Sequence, residues 1–355
     1  MLEKLQHYGV RGVANNWLKS YLCQRQQSVK IDNSDSTNLK ILYGVPQGSV
    51  LGPLLFLIYI NDLHNAIKFS DTHHFADDTN LLYTNKSLKK VNKHINHDLN
   101  HLCHWLRANE ISLNTKKTEI IIFRSKNKNI TKKLNFRLSG QKIILSKSIK
   151  YLGINLDEHL TWSNHINILA SKLSRANGIL SKIRHFVPYK CLLTIYYALF
   201  NSHLTFGSQV WCQGTNENIK RITALQNKAI RIINFKPRNY PVNPLYAKSQ
   251  ILKINDYVYS LNCQLIKQYS LDSLPSTFKD YFTETKYIHD HNTKSACTGK
   301  YHVQHINTEY GARSVTNKCI HAWNDMQDKI KTDPPDSNKT LQKKIRTYFF
   351  DQYTN

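Results

Sequence analysis

The chain has 355 residues, more than one hydrophobic core usually serves, so two or three domains are expected. Hydrophobic residues make up 41%, which excludes a disordered chain, and 49 Lys plus Arg against 24 Asp plus Glu leave a formal net charge of +25. That excess predicts salt-sensitive attraction to a polyanion, and the tyrosines supply stacking surfaces, so nucleic acid is the first candidate ahead of a plain basic surface or an acidic membrane.

Seven cysteines at wide intervals form neither a disulfide framework nor a Cys-x-x-Cys metal clip. The stretch from Met1 to His7 lacks the apolar core of a signal peptide. Leu51 to Ile60 is too short to span a bilayer, and the apolar run from Leu192 to Trp211 is broken by Asn201, Ser202 and His203. These features predict a reduced intracellular chain, in cytoplasm and/or nucleus and not secreted, without a membrane partner. The oligomeric state is not written in the sequence.

In chain order, Leu2, Leu5, Trp17, Leu18, Tyr21 and Leu22 predict helices interrupted at Gly9 and Gly12. Gln26 to Ile31 and Leu39 to Tyr43 read as strands joined by a polar turn. The loop Gly44-Val45-Pro46-Gln47-Gly48-Ser49-Val50-Leu51-Gly52-Pro53 then enters an apolar helix over Leu54 to Leu63. Glycines there let backbone approach a flat ligand, and Gln47 can hydrogen-bond a base or sugar; a plain loop before a core helix fits the same residues.

His73-His74-Phe75-Ala76-Asp77-Asp78-Thr79-Asn80-Leu81-Leu82-Tyr83 reads as a β-hairpin whose tip exposes two adjacent carboxylates. Hard oxygen ligands of that kind suit magnesium, and in phosphoryl transfer a metal pair clamps the attacking and leaving oxygens. Alone, an Asp-Asp pair also describes a solvated turn. Leu88, Val91, Ile95, Leu99, Leu102, Trp105 and Leu106 follow at helical spacing and stop near Asn109. Thr118 to Phe123 is predicted as a buried strand beside the hairpin, in an open α/β layer. In Leu113-Asn114-Thr115-Lys116-Lys117-Thr118, Lys117 is either a solvated lysine or a cation for a leaving phosphate. The histidines at 73, 74, 94, 97, 101 and 104 read as surface.

The basic segment Lys126 to Lys133 is a loop or phosphate-facing tongue, Asn135 to Leu145 a hairpin turning at Ser139-Gly140, and Ile149 to Leu156 a short strand pair. Three amphipathic helices follow, from Ser163 to Ile183, from Pro188 through Phe200, and from Ile219 to Ile233. Their outer lysines and arginines can face phosphates. Prolines 237, 241 and 244 mark a boundary, beyond which lie helices over Asn255 to Tyr269 and Ser314 to Ile330. Pro334-Pro335 precede a short last helix.

Four ordered motifs, Gly44 to Pro53, Phe75-Ala76-Asp77-Asp78, Leu113 to Glu119 and Tyr151-Leu152-Gly153, together resemble a non-LTR retrotransposon reverse transcriptase of the jockey-like kind. Gly9 to Gly12, Tyr21 to Val29, Ala224 to Arg231, Tyr310 to Ser314 and Trp323-Asn324 also look family-like. The resemblance implies an α+β right-hand polymerase: partial fingers and palm over 1–148, primer grip and helical thumb over 149–235, and a mostly helical C-terminal region over 236–355. It implies RNA-directed DNA polymerase activity on an RNA template, a DNA primer and dNTPs, by two-metal nucleotidyl transfer with Mg2+. Asp77 and Asp78 would be the metal carboxylates, with Phe75 in the aromatic place beside them. Gln47 and Gly48 would line the template and nucleotide site, Lys117 would face the departing pyrophosphate, and Leu152 and Gly153 would form the primer grip. The family's further metal aspartate lies upstream of the segment with which this sequence begins, so the chain reads as N-terminally truncated and its two-metal site as incomplete. The alternative is a catalytically inactive RNA- or DNA-binding remnant.

Overall fold

The computed structural model describes residues 1–46, 48–128, 130, 134–288, 299–330 and 337–354. Contacts divide it into two compact units: Met1–Ile122 with Lys126–Ser146, and Phe123–Ser125 with Lys147–Asn355.

Unit 1 opens with α1 (Leu2–His7) and α2 (Gly12–Leu22), separated where Gly9 takes a φ of +88°. Lys4 Nζ donates to the Tyr59 carbonyl at 2.7 Å and to Asp62 at 2.6 Å, fixing α1 on the last turn of α3 (Leu51–Ile60) and the segment that follows it. The two long strands expected between them do not form. Instead β1 (Gln26–Gln27) pairs with β4 (Leu39–Lys40), and β2 (Lys30–Ile31) pairs with β3 (Ser34–Asp35). Every ladder residue is exposed, so no buried face holds the register beyond the turns.

The apolar helix α3 starts earlier than expected because Ser49 caps it. Its hydroxyl accepts the Gly52 N–H at 3.0 Å and donates to the Pro46 carbonyl at 2.8 Å. A one-turn-and-more 3-10 helix, Asn61–Ala66, leads to the hairpin of β5 (Asp71–Phe75) and β6 (Asp78–Leu82). Next comes α4 (Leu88–Ala108), whose Leu99, Leu102, Cys103 and Leu106 are buried against Ile60, Leu63, Phe136 and Leu138. Asn92 and Asn96, one turn apart on α4, act as a substitute strand. Their side-chain oxygens accept the Asn135 and Arg137 N–H groups at 2.9 Å each, and Asn96 Nδ2 donates to the Asn135 carbonyl at 2.8 Å. This seats β7 (Arg137–Leu138), which pairs with β8 (Gln141–Lys142) around Ser139 and Gly140, both at positive φ.

The strand expected over Thr118–Phe123 is not one. Ile120 makes a single parallel bridge to Leu145, and the hairpin remains a two-stranded sheet. An apolar, β-branched run becomes a strand only where a neighbour offers a continuous row of partners, and here one bridge is all that Leu145 provides. Part of the basic segment Lys126–Lys133, and Pro334-Pro335, lie outside the described residues.

Unit 2 opens with β9 (Ser148–Tyr151) and β10 (Ile154–Asp157). Asp157 accepts the N–H groups of His159, Thr161 and Trp162 at 2.9–3.1 Å and so sets the entry to α5 (Ser163–Ile183). Its periodic apolar residues Ile166, Leu169, Leu173, Ala176 and Leu180 are buried as the spacing predicts. They meet α6 (Tyr189–Ile195), its π-helical continuation Tyr196–Asn201, α7 (Ser202–Thr205), α8 (Ser208–Trp211) and α9 (Asn216–Ile233).

The same core takes in Leu245 and Tyr246 of α10 (Asn243–Ser249) and Ile254 and Val258 of α11 (Ile254–Ser270). Gln226, 1% exposed, acts as a buried peptide group between α9 and α11: it donates to the Leu252 carbonyl at 3.0 Å and accepts the Ile254 N–H at 2.9 Å. A second cluster joins Cys263 and Ile266 to α13 (Val315–Ile330), which follows the single turn α12 (Glu309–Ala312), and to α14 (Asn338–Thr354). The last helix is not short. Leu341, Ile345 and Tyr353 recur at multiples of four and are buried, a stripe hidden in the sequence behind its lysines. Among the described residues no helix is long and apolar enough to cross a membrane.

Candidate active-site hairpin

The β5–β6 hairpin forms because five residues on each side can pair in register, from Asp71 opposite Leu82 to Phe75 opposite Asp78. That register leaves Ala76 and Asp77 as a two-residue turn, and Ala76 adopts a φ of +51° to close it. Thr72, His74, Thr79 and Leu81 share one half-buried face, with Asn80 half-buried opposite His73 on the other, while Phe75, Asp77 and Asp78 are exposed. His74 Nδ1 lies 3.2 Å from the Thr79 hydroxyl, a cross-strand contact just below the tip. Burial, then the neighbouring His64 and His73, hold the His74 ring below the usual histidine pKa. An uncharged imidazole therefore faces inward and two carboxylates face outward.

The donor set suits a hard divalent cation. Carboxylates are acceptor-only ligands, and a pair on one tip can serve Mg2+, whose chemistry is to clamp the attacking and leaving oxygens of phosphoryl transfer. Among the described residues no group of three or more His, Cys, Asp or Glu side chains is arranged to hold a metal, so the tip fits part of such a site.

Two later carboxylates are occupied elsewhere. Glu119 accepts the Ser146 hydroxyl at 2.9 Å. Asp98 of α4 is fully buried and accepts the N–H groups of Lys68, Phe69 and Ser70 and the Ser70 hydroxyl, immediately before β5. Sequence reasoning did not find this contact, and its one signal was an acid at a position where the apolar face of α4 is otherwise continuous.

The remaining candidates are spread over the two units. Gly48 sits at a φ of +80° in the loop before α3, with open space where a side chain would be. Gln47 lies outside the described residues. Lys117 is exposed on the turn after α4, where its N–H donates to Asn114; among the described residues no hydrogen bond or ion pair joins it to Asp77 or Asp78.

In unit 2, Leu152 and Gly153 are the turn of the β9–β10 hairpin, at φ of +45° and +85°. A Cβ on Gly153 would come within 2.9 Å of the Phe206 ring, and one on Gly207 would meet Ile154. The turn is therefore seated on the Phe206–Gly207 corner, which the sequence did not announce. Lys172, Arg175 and Lys182 of α5 and Lys220, Arg221 and Lys228 of α9 are exposed. Arg221 also donates to Asn167 of α5 at 2.6 Å, linking the two helices.

The family-like stretches downstream serve packing. Asn324 accepts the Tyr301 N–H at 2.9 Å and donates to its carbonyl at 2.8 Å, while the Trp323 indole donates to Gly299 at 3.1 Å.

Residues 1–156 match the family model described as "Reverse transcriptase (RNA-dependent DNA polymerase)". The chain is 31% identical over 224 residues to the probable RNA-directed DNA polymerase from transposon X-element of Drosophila melanogaster, covering 61% of this chain and 24% of that protein. It is 27% identical over 255 residues to the RNA-directed DNA polymerase from mobile element jockey of the same fly, covering 69% and 27%. A third relative, the probable RNA-directed DNA polymerase from transposon BS, is 30% identical over 250 residues, covering 65% and 26%. The chain thus spans about a quarter of the length of these curated relatives. The jockey-like resemblance carried by the four motifs is borne out.

Proposed function

We propose that this chain is the catalytic-hairpin and thumb part of an RNA-directed DNA polymerase of a jockey-like non-LTR retrotransposon, acting on an RNA template, a DNA primer and dNTPs. The observation that carries the reading is the hairpin tip. Asp77 and Asp78 stand exposed and adjacent inside the region matched by the reverse transcriptase family model.

In this reading the two carboxylates hold Mg2+, and Phe75 and Gly48, with Gln47, border the nucleotide and the template. Lys117 offsets charge on the departing pyrophosphate. Leu152 and Gly153 hold the primer end, in a turn where a side chain at position 153 would run into the Phe206 ring. The helices from 163 to 235 are the thumb. The sequence between Ser163 and Phe235 holds one acidic residue, Glu217, against the basic side chains exposed on α5 and α9, which supports contact with a phosphate backbone. Palm and partial fingers then occupy 1–148, and the C-terminal helical region spans 236–355, with Leu245, Tyr246, Ile254 and Tyr353 of it joining the core of α5 and α9.

The test is Mg2+-dependent primer extension on an RNA template, with Asp77→Asn/Asp78→Asn as the comparison. The double variant abolishes extension, while its salt-dependent affinity for an RNA–DNA duplex stays within about twofold, because that affinity comes from lysines and arginines. Parallel loss of binding and extension would contradict this division of labour. Binding without extension by the unaltered chain would favour the remnant that holds nucleic acid and does no chemistry.

A further inference from the structure

Asp98 is the one fully buried acid among the described residues, and no part of the chemistry proposed above uses it. Its two oxygens take every backbone N–H of the three residues that launch the hairpin, and the Ser70 hydroxyl as well. Oδ1 accepts the Lys68 N–H at 3.2 Å, and Oδ2 accepts the Phe69 N–H at 3.1 Å, the Ser70 N–H at 2.8 Å and the Ser70 hydroxyl at 2.7 Å. Three successive backbone N–H groups converging on one carboxylate form an anion-binding nest, filled from within the fold.

Side chains reinforce it. The Phe69 ring stacks on His94 at 3.9 Å and meets the edge of His97 at 5.1 Å, both on α4. His97 Nδ1 lies 3.4 Å from Asp98 Oδ1. Backbone and ring of the 68–70 segment are thus both tied to one stretch of helix.

We propose that Asp98 is a positioning residue for the metal-binding tip: its carboxylate clamps residues 68–70 to α4 and sets the direction in which the β5–β6 hairpin carries Asp77 and Asp78. The proposal rests on reading that tip as the metal site. The lever is long. Five residues of β5 extend roughly 17 Å from Ser70 to the turn, so a tilt of about 10° at the base moves the carboxylates by about 3 Å. Metal-assisted chemistry tolerates about 0.5 Å. The hairpin is a two-stranded sheet, and such a ribbon is marginal unless anchored. Among the described residues the Asp98 nest is the densest set of hydrogen bonds at its base.

Asp98→Asn keeps the shape but turns one acceptor into a donor facing N–H groups. Amide hydrogen exchange of the full chain should then speed up on the order of tenfold or more at residues 68–82, with α4 amides from Leu99 to Leu106 protected as before. Mn2+ titrated into the same samples should broaden the amides of Ala76 to Thr79 in the unaltered chain and do so at an altered concentration, or not at all, in Asp98→Asn. Unchanged exchange at 68–82 overturns the clamp whatever the metal does. Absence of Mn2+ broadening in the unaltered chain overturns the metal reading while the exchange result still decides the clamp. Should Asp98→Asn melt α4 as well, Ser70→Ala replaces it: removing one donor should speed exchange at 68–82 by a smaller factor, and equal loss along α4 would reduce Asp98 to a general core residue. Where extension is measurable, Asp98→Asn should lower kcat by about tenfold to a hundredfold with the dNTP KM nearly constant; a simple loss of folded protein gives the same split but speeds exchange along α4 as well.

Discussion

In unit 1 the segments before and after α4 are held to it by side-chain hydrogen bonds to backbone, whereas unit 2 is built chiefly of helices packed on helices. In unit 1, Asn92, Asn96 and Asp98 of a single helix hold segments on either side of it, and the ladders of β1 to β4 are two residues long and exposed. In unit 2 the buried faces of α5, α6 and α9 meet in one apolar cluster that also reaches α10, α11 and Tyr353 of α14. Apolar burial adds up over area, while a clamp depends on a few bonds that all must form. The unit that carries the paired aspartates is therefore the one whose geometry hangs on single polar residues, and the unit that carries the basic helices is the stiff one.

The largest effect should come from the stiff unit. Leu173 is 0% exposed at the centre of α5, so Leu173→Ala should cost about 2–5 kcal/mol, read as exchange of α5 and α9 amides and as a lower denaturation midpoint. A loss shared equally by the amides of α4 would break the contrast between the units.

Acid should find the other one. Burial raises the Asp98 pKa, but the Ser70 hydroxyl, the Lys68 and Phe69 N–H groups and His97 outweigh it, leaving the carboxyl below its ordinary value. A depressed carboxyl pKa means that the unfolded chain binds the proton first as pH falls. The stabilisation is full above the unfolded value of about 3.9 and is lost as pH drops through the folded one. Protection at 68–82 should hold at pH 5 and fade at lower pH, and Asp98→Asn should remove that part of the acid sensitivity. An identical profile in the variant would assign the effect to other carboxyls.

The smallest effect sits at the tip. Ala76 at a φ of +51° pays the left-handed penalty that glycine avoids, so Ala76→Gly should gain up to about 1 kcal/mol in hairpin protection, offset in part by glycine's greater chain entropy. A net loss would mean that the methyl group is making a contact that outweighs the strain.

Much of this could be read from residues alone. Periodicity placed α4, α5, α9, α11 and α13 within a few residues, because an apolar stripe at helical spacing has one way to be buried. The hairpin around Asp77-Asp78 and the turns at Ser139-Gly140 and Leu152-Gly153 were legible for a related reason, since a two-residue connection leaves little choice of register. The strands expected over Gln26–Ile31 and Thr118–Phe123 do not form as such because strand formation is decided by a partner's backbone, which composition does not reveal. The last helix is longer than its sequence predicts because lysines between Leu341, Ile345 and Tyr353 dilute the apolar stripe.

The helical stripes, the three tight hairpins, the excess of positive charge and the adjacency of the two aspartates follow from the amino-acid sequence, all being properties of residues near one another along the chain. The folded packing is what turns Asp98 to the 68–70 backbone, leaves no room for a side chain at Gly153 beside Phe206, and makes Gln226 and Asn324 stand in for missing peptide partners. A polar side chain looks the same in sequence whether water or a distant backbone satisfies it, and burial alone makes the difference.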